Sequence, residues 1–227
     1  MQYAVPVLSS EPGTEFPDPR RCRHPDGLVA VGGDLSRTRI LNAYRRGIFP
    51  WFEPGGPFLW WSPDPRALLF PEHVHVSRRL ARSLRQQKLE ITVNRDFAAV
   101  IDACAAPRSA AGGTWITREM REAYLDLHRQ GSAHSVEARY RGELVGGLYG
   151  VSIGRIFFAE SKFHRQRDAS KIALIELMRR LERNGFLFCD CQMWNPHLEQ
   201  FGIRMVDRDD FLRLLEHGIA LPAAGID

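Results

Sequence analysis

The stretch that most constrains the fold lies between residues 134 and 161, where two short turns separate three strand-like segments. The segments read HSVEARY, ELVGGLYGVSI and IFFAES, and the turns are Arg141-Gly142 and Gly154-Arg155. Apolar, β-branched and aromatic residues favour strands, and short glycine-containing turns join antiparallel neighbours. The sequence therefore predicts a three-stranded antiparallel meander.

Further elements are predicted on both sides of this meander. Helical periodicity and cap residues indicate helices over residues 77–87, 96–105, 117–130, 169–184 and 209–217, with strands over 89–93 and 186–191 and a turn at NPHLEQFG. A long helix, three antiparallel strands, an amphipathic helix and a further strand resemble the core of acyl-CoA N-acetyltransferases (GNAT-like). This is a resemblance of fold, and a fold does not determine a function.

The first 60 residues differ in character, because they are rich in Pro, Gly and aromatic residues. EPGTEFPDP, HPDG, FEPGGP and SPDP are turn signals, and one helix between them begins at the N-cap Ser36 and ends at Gly47. We therefore expect an α+β protein with a small, loop-rich N-terminal domain over residues 1–62. A GNAT-like mixed sheet with flanking helices is expected over residues 63–227.

Composition limits the class of protein more than it identifies one. The 227 residues are 44% hydrophobic, and the net charge of +4 permits an anionic partner without requiring one. Four cysteines show neither zinc spacing nor a disulfide framework, and no signal peptide or segment of ~20 apolar residues is visible. A cytoplasmic protein without a membrane partner is the expectation.

The strongest chemical candidates follow two apolar strands. Glu160 lies near the end of one, and Asp190 and Gln192 lie at the end of the next. If the two strands are neighbours, the three side chains converge at one edge of the sheet. Carboxylates beside apolar strands are costly unless they are paired or used in chemistry, so a structural polar network is the alternative.

Aromatic and basic clusters indicate ligands of two kinds. Trp51 belongs to an aromatic stretch that continues to Trp61, and Trp115 follows the glycines Gly112 and Gly113 in front of a helix. Such residues form pocket walls, stack nucleobases, or pack a small core. Arg78, Arg82 and Arg85 share one helix face, which is typical of phosphate contact and equally of a solvated surface.

Several long segments together resemble the bacterial leucyl/phenylalanyl-tRNA–protein transferase family. The resemblance spans residues 16–217 and depends on PDGLVAVGGDL (25–35), YRRGIFPWF (44–52), WWSPDPR (60–66), GTWIT (113–117), residues 137–161, and DCQ (190–192). The chain departs from the family pattern at Met193-Trp194, where a small apolar residue is expected before Asn195.

The resemblance implies a reaction. Members move Leu or Phe, with Met a further possibility, from aminoacyl-tRNA to proteins with N-terminal Arg or Lys, and so mark them for degradation. It implies no cofactor and no metal, and a monomer is expected.

The resemblance also assigns roles to individual residues. Asp190, Gln192 and Glu160 are implied to be catalytic, with Asp190 as a base, Gln192 as a positioning amide, and Glu160 facing the cationic acceptor or orienting its amine. From their shared helix face, Arg78, Arg82 and Arg85 are expected to bind the tRNA backbone. The residues implied to bind substrate are Trp51, Trp115, Asn195, Phe158 and Ser161.

Two rival functions remain open at this point. An acyl-CoA N-acetyltransferase needs a glycine-containing turn that holds pyrophosphate before the helix at 169, but the chain there reads FHRQRDAS. A non-catalytic RNA-binding module would use the tryptophans and arginines, but it would have no direct use for Glu160 and Asp190. Incubation with Phe-tRNA, and separately with acetyl-CoA, distinguishes the three functions.

Overall fold

A computed structural model describes residues 4–11, 15–86, 88–106 and 114–226. The predicted glycine loop at Gly112 and Gly113 lies outside these residues. Trp115 and Thr117, which follow it, lie inside.

The N-terminal part forms a four-stranded sheet. Its strands are β1 (Val7–Leu8), β2 (Leu28–Gly32), β3 (Phe49–Pro50) and β4 (Leu59–Trp61), in the order β1-β2-β4-β3. Helix α1 (Arg37–Arg45) joins β2 to β3, and the Ser36 side chain caps it by accepting a hydrogen bond from the Arg39 N–H. Trp60 is fully buried and donates its indole N–H to the Gly32 carbonyl, 2.8 Å away.

A seven-stranded mixed sheet occupies the rest of the chain. Its strands are β5 (Arg66–Leu69), β6 (Glu90–Val93), β7 (Ala133–Tyr140), β8 (Glu143–Ile153), β9 (Ile156–His164), β10 (Phe188–Asp190) and β11 (Arg204–Val206). The order is β11-β5-β10-β9-β8-β7-β6, and only the β9–β10 pair is parallel.

Helices cover both faces of this sheet. They are α2 (Arg78–Arg85), α3 (Phe97–Ala105), α4 (Arg118–Arg129), α5 (Ala169–Arg183), α6 (Pro196–Glu199) and α7 (Arg208–Ala220). Alternation along β9 separates two cores: Phe158 belongs to the core shared with α1, α3, α4 and α7, and its neighbour Phe157 to the core under α5. The architecture is mixed α+β.

Most elements confirm the sequence-based predictions, including the meander and the Thr117 cap of α4. Three details differ. The predicted strand at 186–191 is paired only over Phe188–Asp190, the NPHLEQFG segment contains a short helix rather than a turn alone, and the last helix is longer at both ends. The strands β1, β2, β3, β4, β5 and β11 were not predicted, because each is short and lies in or near turn-rich sequence.

The crossover from β9 through α5 to β10 creates the site. Because β9 and β10 are parallel, their carboxyl ends lie at one edge of the sheet, as expected for neighbouring strands. Asp190 pairs with Phe158 in this ladder, so Glu160 lies just beyond it along β9. The prediction that these two strands adjoin is confirmed.

Candidate active site

A cavity of about 880 Å³ opens at this edge of the sheet. The far half of β9, the first turn of α5, the start of α6 and the segment before α4 surround it. Its walls carry one carboxylate, three small polar side chains, an indole and several basic groups. Among the lining residues are Trp115, Glu160, Ser161, Lys162, Phe163, His164, Arg165, Ser170, Asn195 and His197.

A smaller cavity of about 250 Å³ adjoins the first. It has mainly apolar walls, formed by Leu148, Ala159, Leu174, Cys191, Met193, Trp194 and Leu198. The two cavities share Glu160, Ser161, Lys162 and Asn195, so these residues form a common border. A ligand with a polar part and an apolar side chain can therefore occupy both spaces at once.

Glu160 is held at this border by three donors. The Tyr44 hydroxyl donates to its Oε1 over 2.6 Å and the Tyr124 hydroxyl to its Oε2 over 2.9 Å. The Gln192 side-chain amide donates to Oε1 over 3.0 Å, and the two tyrosine oxygens lie 2.5 Å apart. Both tyrosine side chains are fully buried, so the carboxylate has a fixed orientation.

The enclosure changes the acidity of these groups. Burial raises the pKa of Glu160 to about 7, although the hydrogen bonds from Tyr44 and Tyr124 oppose the rise, and the nearby charge of Asp190 adds to it. Burial likewise raises the pKa of Tyr44 well above its ordinary value, so the tyrosine stays a neutral donor. A carboxyl group with a pKa near neutrality can take up and release a proton under cellular conditions.

A β-bulge directs Glu160 towards the site. Tyr149 of β8 pairs with Ser161 and Gly150 with Ala159, so Glu160 has no partner of its own on β8. Bulges re-aim side chains and occur often beside active sites. Gly150 makes this geometry possible, because a Cβ there would lie 2.2 Å from the Phe158 carbonyl oxygen.

Asp190, in contrast, is sealed off from both cavities. It is fully buried, and the Arg66 guanidinium binds both of its oxygens, with Nε 2.9 Å from Oδ1 and Nη2 2.7 Å from Oδ2. The aromatic rings of Phe49 and Phe211 lie on Arg66, and Gly47 accepts its remaining bond. The expected convergence therefore brings Glu160 and Gln192 into contact, whereas Asp190 reaches them only through Gln192.

Gln192 does not continue the strand. Its φ of 62° is left-handed, so the two-residue alternation of an extended strand, which predicts that its side chain lies on the same side as that of Asp190, does not apply here. The Asp190 Oδ1 accepts the Gln192 backbone N–H over 2.9 Å, and this bond fixes the turn that points the side-chain amide at Glu160. Asp190 and Arg66 therefore position Gln192.

The other predicted binding residues separate into two groups. Trp115, Ser161 and Asn195 line the large cavity, where Asn195 also caps α6 through its Oδ1. Phe158 lies in the core against Tyr44 and does not line either cavity, because its side chain has no exposed surface. Trp51 is 41% exposed and packs beside Trp61, apart from the residues that line the large cavity.

Arg78, Arg82 and Arg85 lie on α2 and are exposed to solvent. None of the three forms an ion pair with a described carboxylate. They lie outside both cavities, on the helix that follows β5.

Sequence reasoning missed three residues of the site. Tyr44 and Tyr124 show only a helical, inward-facing periodicity, and Arg66 shows only a position in a Pro-rich segment. The signal that could have found them is chemical, since a polar tip on a buried helix face requires a buried partner.

In the part of the chain that the structure describes, no cluster of three or more His, Cys, Asp or Glu residues could hold a metal ion. No helix among the described residues is long and apolar enough to cross a membrane.

Comparison with known proteins identifies relatives along nearly the whole chain. The family model for leucyl/phenylalanyl-tRNA protein transferase matches residues 68–216, and that for its N-terminal domain matches residues 33–64. The leucyl/phenylalanyl-tRNA–protein transferase of Azotobacter vinelandii is 54% identical over 92% of both chains. The protein of that name from Pseudomonas aeruginosa is 51% identical over 93% of this chain and 95% of its own.

One similar solved structure is that of L-PGS from Bacillus licheniformis. It is 11% identical and covers 75% of this chain and 56% of its own, with a TM-score of 0.41. This similarity is too weak to support an argument about fold or function.

Proposed function

The chain belongs to the leucyl/phenylalanyl-tRNA–protein transferase family, and we propose that it moves Leu or Phe from aminoacyl-tRNA to the α-amino group of proteins with N-terminal Arg or Lys. One observation carries the mechanism: the Glu160 carboxyl group, with a pKa of about 7, lies on the border between a polar and an apolar cavity. The product would be a protein marked for degradation by its new N-terminal residue.

The two cavities suit the two parts of an aminoacyl-adenosine. The smaller one, with Leu148, Leu174 and Leu198 in its walls, would take the Leu or Phe side chain. The larger one would take the terminal adenosine, for which Trp115 offers a stacking surface. The ester between the two parts would then lie beside Glu160, Ser161 and Asn195. The exposed Trp51 is a further candidate for contact with the nucleoside.

Aminolysis of the ester requires a neutral amine. In the proposed step, Glu160 accepts a proton from the acceptor's ammonium group, whose ordinary pKa is about 7.7–8.0. The amine nitrogen then attacks the ester carbonyl carbon, the C–N bond forms, and the bond from the carbonyl carbon to the ribose oxygen breaks. Glu160 releases this first proton to solvent and then accepts a second proton from the nitrogen that is now bonded to the carbonyl carbon. It passes the second proton to the ribose oxygen as that oxygen leaves.

Gln192 and Asp190 support this step differently. The Gln192 amide orients Glu160 through its bond to Oε1, and it lines the smaller cavity. Asp190 is fully buried against the Arg66 guanidinium and lines neither cavity, so a substrate amine cannot reach it. We assign Asp190 and Arg66 to positioning Gln192.

The proposal extends to organisation and location. We propose a division at residues 1–62 and 63–227 with a GNAT-like C-terminal domain; the separate sheets, which end at Trp61 and begin at Arg66, support it. A cytoplasmic location is in keeping with four free cysteines. We also propose a monomer, for which sedimentation velocity should give the mass of one chain, 25.9 kDa.

The direct test uses purified protein with Phe-tRNA or Leu-tRNA and peptides that differ only at the N-terminus. Peptides beginning with Arg or Lys should gain one Leu or Phe residue, measured by mass spectrometry, whereas a peptide beginning with Gly should not. Acetyl-CoA with the same peptides is the control for the rival activity. Acetylation without aminoacyl transfer would overturn the proposal, and binding of tRNA without either reaction would favour the RNA-binding module.

A further inference from the structure

A third cavity, of about 550 Å³, adjoins the large one. The start of α2 and the first turn of α5 form its opposite sides, with Ser77, Arg79 and Leu80 on one and Asp168 and Lys171 on the other. It shares His164 and His197 with the large cavity. The concave surface therefore continues from Glu160 to the helix that carries Arg78, Arg82 and Arg85.

Basic side chains dominate this continuation. Arg79, His164, Arg167, Lys171 and His197 line it, and we call these five residues the basic track. The one acid in its lining, Asp168, accepts a hydrogen bond from the Ser83 hydroxyl over 3.3 Å. Lys171 donates to the neutral amide of Gln200, and none of the five forms an ion pair with a described carboxylate.

The crowding of positive charge affects His197. Burial lowers the pKa of this histidine, and the nearby charges of Lys162, Lys171 and His164 lower it further. The guanidinium and ammonium groups of the track belong to Arg79, Arg167 and Lys171. Uncompensated cations in a concave surface attract an anionic ligand more strongly than they would on a flat one.

We infer that the basic track binds the phosphates of the single-stranded 3′ end of aminoacyl-tRNA. This inference depends on the proposed function, since the terminal adenosine must lie in the large cavity. With a volume of about 550 Å³, the cavity can take part of one strand but not a duplex. Contacts to phosphates carry no base information, which fits a 3′ end that all tRNAs share. The stem would then continue towards the exposed arginines of α2.

The test compares three donors: phenylalanyl-adenosine ester, a phenylalanylated CCA trinucleotide, and Phe-tRNA. The variant is Arg167→Ala with Lys171→Ala, because both residues lie outside the large and the small cavity. The matched control is Arg129→Ala with Arg183→Ala, which removes two exposed charges at the C-terminal ends of α4 and α5. At 1.5 Å per residue these ends lie roughly 15–20 Å from the first residues of the same helices.

With an N-terminal Arg peptide as acceptor, kcat/KM for the adenosine ester should be unchanged in the track variant. For the trinucleotide and for Phe-tRNA it should fall on the order of 10-fold, with a shallower dependence on salt, because charge-assisted phosphate contacts are lost. Lys171→Arg in the Arg167 wild-type background should keep most of the activity. The triple variant Arg78→Ala, Arg82→Ala and Arg85→Ala should lower kcat/KM only for whole Phe-tRNA.

Three results would overturn the inference. A loss with the adenosine ester as large as with the trinucleotide would make Arg167 and Lys171 structural. If kcat/KM of the track variant is unchanged for the trinucleotide but lower for Phe-tRNA, Arg167 and Lys171 contact the stem instead of the 3′ end. If kcat/KM falls equally in the control variant, the change in net charge explains the effect and the position of the charges does not. If the wild-type protein transfers nothing from any donor, the proposed function fails separately, and binding of uncharged CCA trinucleotide still tests the track.

Discussion

At the residue scale, two tyrosines control the behaviour of Glu160. Tyr44 comes from α1 and Tyr124 from α4, and each donates its hydroxyl hydrogen to a different oxygen of the carboxylate. These bonds favour the charged form, whereas burial favours the neutral form and is the larger influence. The pKa of about 7 is therefore a balance that single substitutions should move in either direction.

Tyr44→Phe should shift the pH dependence of transfer upwards. Loss of the hydroxyl removes a donor to the carboxylate, so the pKa of Glu160 should rise above about 7 and the ascending limb of kcat should move to higher pH. Steady-state kcat with Phe-tRNA and an N-terminal Arg peptide, measured across pH, checks this. Tyr149→Phe is the control, because its buried hydroxyl has no hydrogen-bond partner among the described residues. A limb that stays in place in Tyr44→Phe would contradict the assignment.

Asp190→Asn should have the opposite electrostatic effect. The charge of Asp190 raises the pKa of Glu160, and the variant removes that charge. The ascending limb of kcat should therefore remain but move to lower pH. The variant should also lose about 3–5 kcal/mol of stability, because Arg66 stays buried without its partner. Urea unfolding measures the second effect, and Arg66→Met with Asp190→Leu should recover part of it. Disappearance of the limb in a folded Asp190→Asn protein would make Asp190 the base after all.

At the element scale, α1 and α4 end in the same way but in different surroundings. Each is followed, after one capping residue, by a glycine with φ of +72°: Gly47 after α1 and Gly131 after α4. A left-handed residue at this position favours glycine. A Cβ at Gly47 would lie 2.7 Å from the Phe211 ring and 2.8 Å from Leu212 of α7, whereas nothing lies within 4 Å of one at Gly131.

Gly131→Ala should therefore lower the free energy of unfolding only through backbone strain, by about 1 kcal/mol. Gly47→Ala should cost that strain and a steric term of about 1–3 kcal/mol, because α7 cannot move away without disturbing the ring on Arg66. Urea titrations of both variants give the two values under the same conditions. Equal losses in the two variants would show that α7 yields easily and that its packing on Gly47 contributes little.

Elements that depend on local sequence patterns are the ones that the sequence predicts well. The strands β7, β8 and β9 follow from local alternation and from the turns between them, and the position of β10 beside β9 follows from the crossover helix. Strand β5 could not be predicted in this way. Its pairing with β10 is a contact across more than 100 residues, and its Arg66 finds Asp190 at a sequence separation of 124. Periodicity contains no information about such partners.

Prediction of the candidate site from sequence is limited in the same way, because distant partners have no local signal. Glu160 and Gln192 were predicted together because they follow neighbouring strands, and the structure places them in contact. Tyr44 was predicted only as an inward-facing residue of α1, since helical spacing reports which side is buried but not what is buried against it. Its partner Glu160 is 116 residues away, on the other sheet. The bulge that aims Glu160 likewise has no local sequence signal beyond Gly150.

At the scale of the whole molecule, the two sheets depend on each other for the site. Tyr44 from the N-terminal part reaches Glu160, and Arg208 of α7 donates to the carbonyls of Ser62 and Cys22. Removal of the N-terminal part would leave Glu160 without one of its three donors and would expose Arg66 on the side of Phe49. The environment of the Glu160 carboxyl group therefore depends on both parts of the chain.

The free energy of unfolding of the whole protein should depend on pH because the pKa of Glu160 is raised. Because the pKa of Glu160 in the folded state is raised from its ordinary value of 4.5 to about 7, the folded state binds more protons than the unfolded state between these values. The contribution of Glu160 to stability should therefore decrease as pH rises from about 4.5 to about 7 and stay constant above. The difference in unfolding free energy between wild type and Glu160→Gln, measured in urea across this window, should fall with pH. A flat difference would place the pKa near its ordinary value.

If Glu160 takes the proton from the acceptor amine, the pH dependence of kcat should differ between wild type and Glu160→Gln. With saturating Phe-tRNA and N-terminal Arg peptide, wild-type kcat should rise with pH and level off above about 7. Glu160→Gln, which preserves the size of the side chain, should lower kcat by about 10²-fold or more, the scale expected for a positioned base, and should lose the limb. A folded Glu160→Gln protein with kcat within a few-fold of wild type and the same limb would contradict the account.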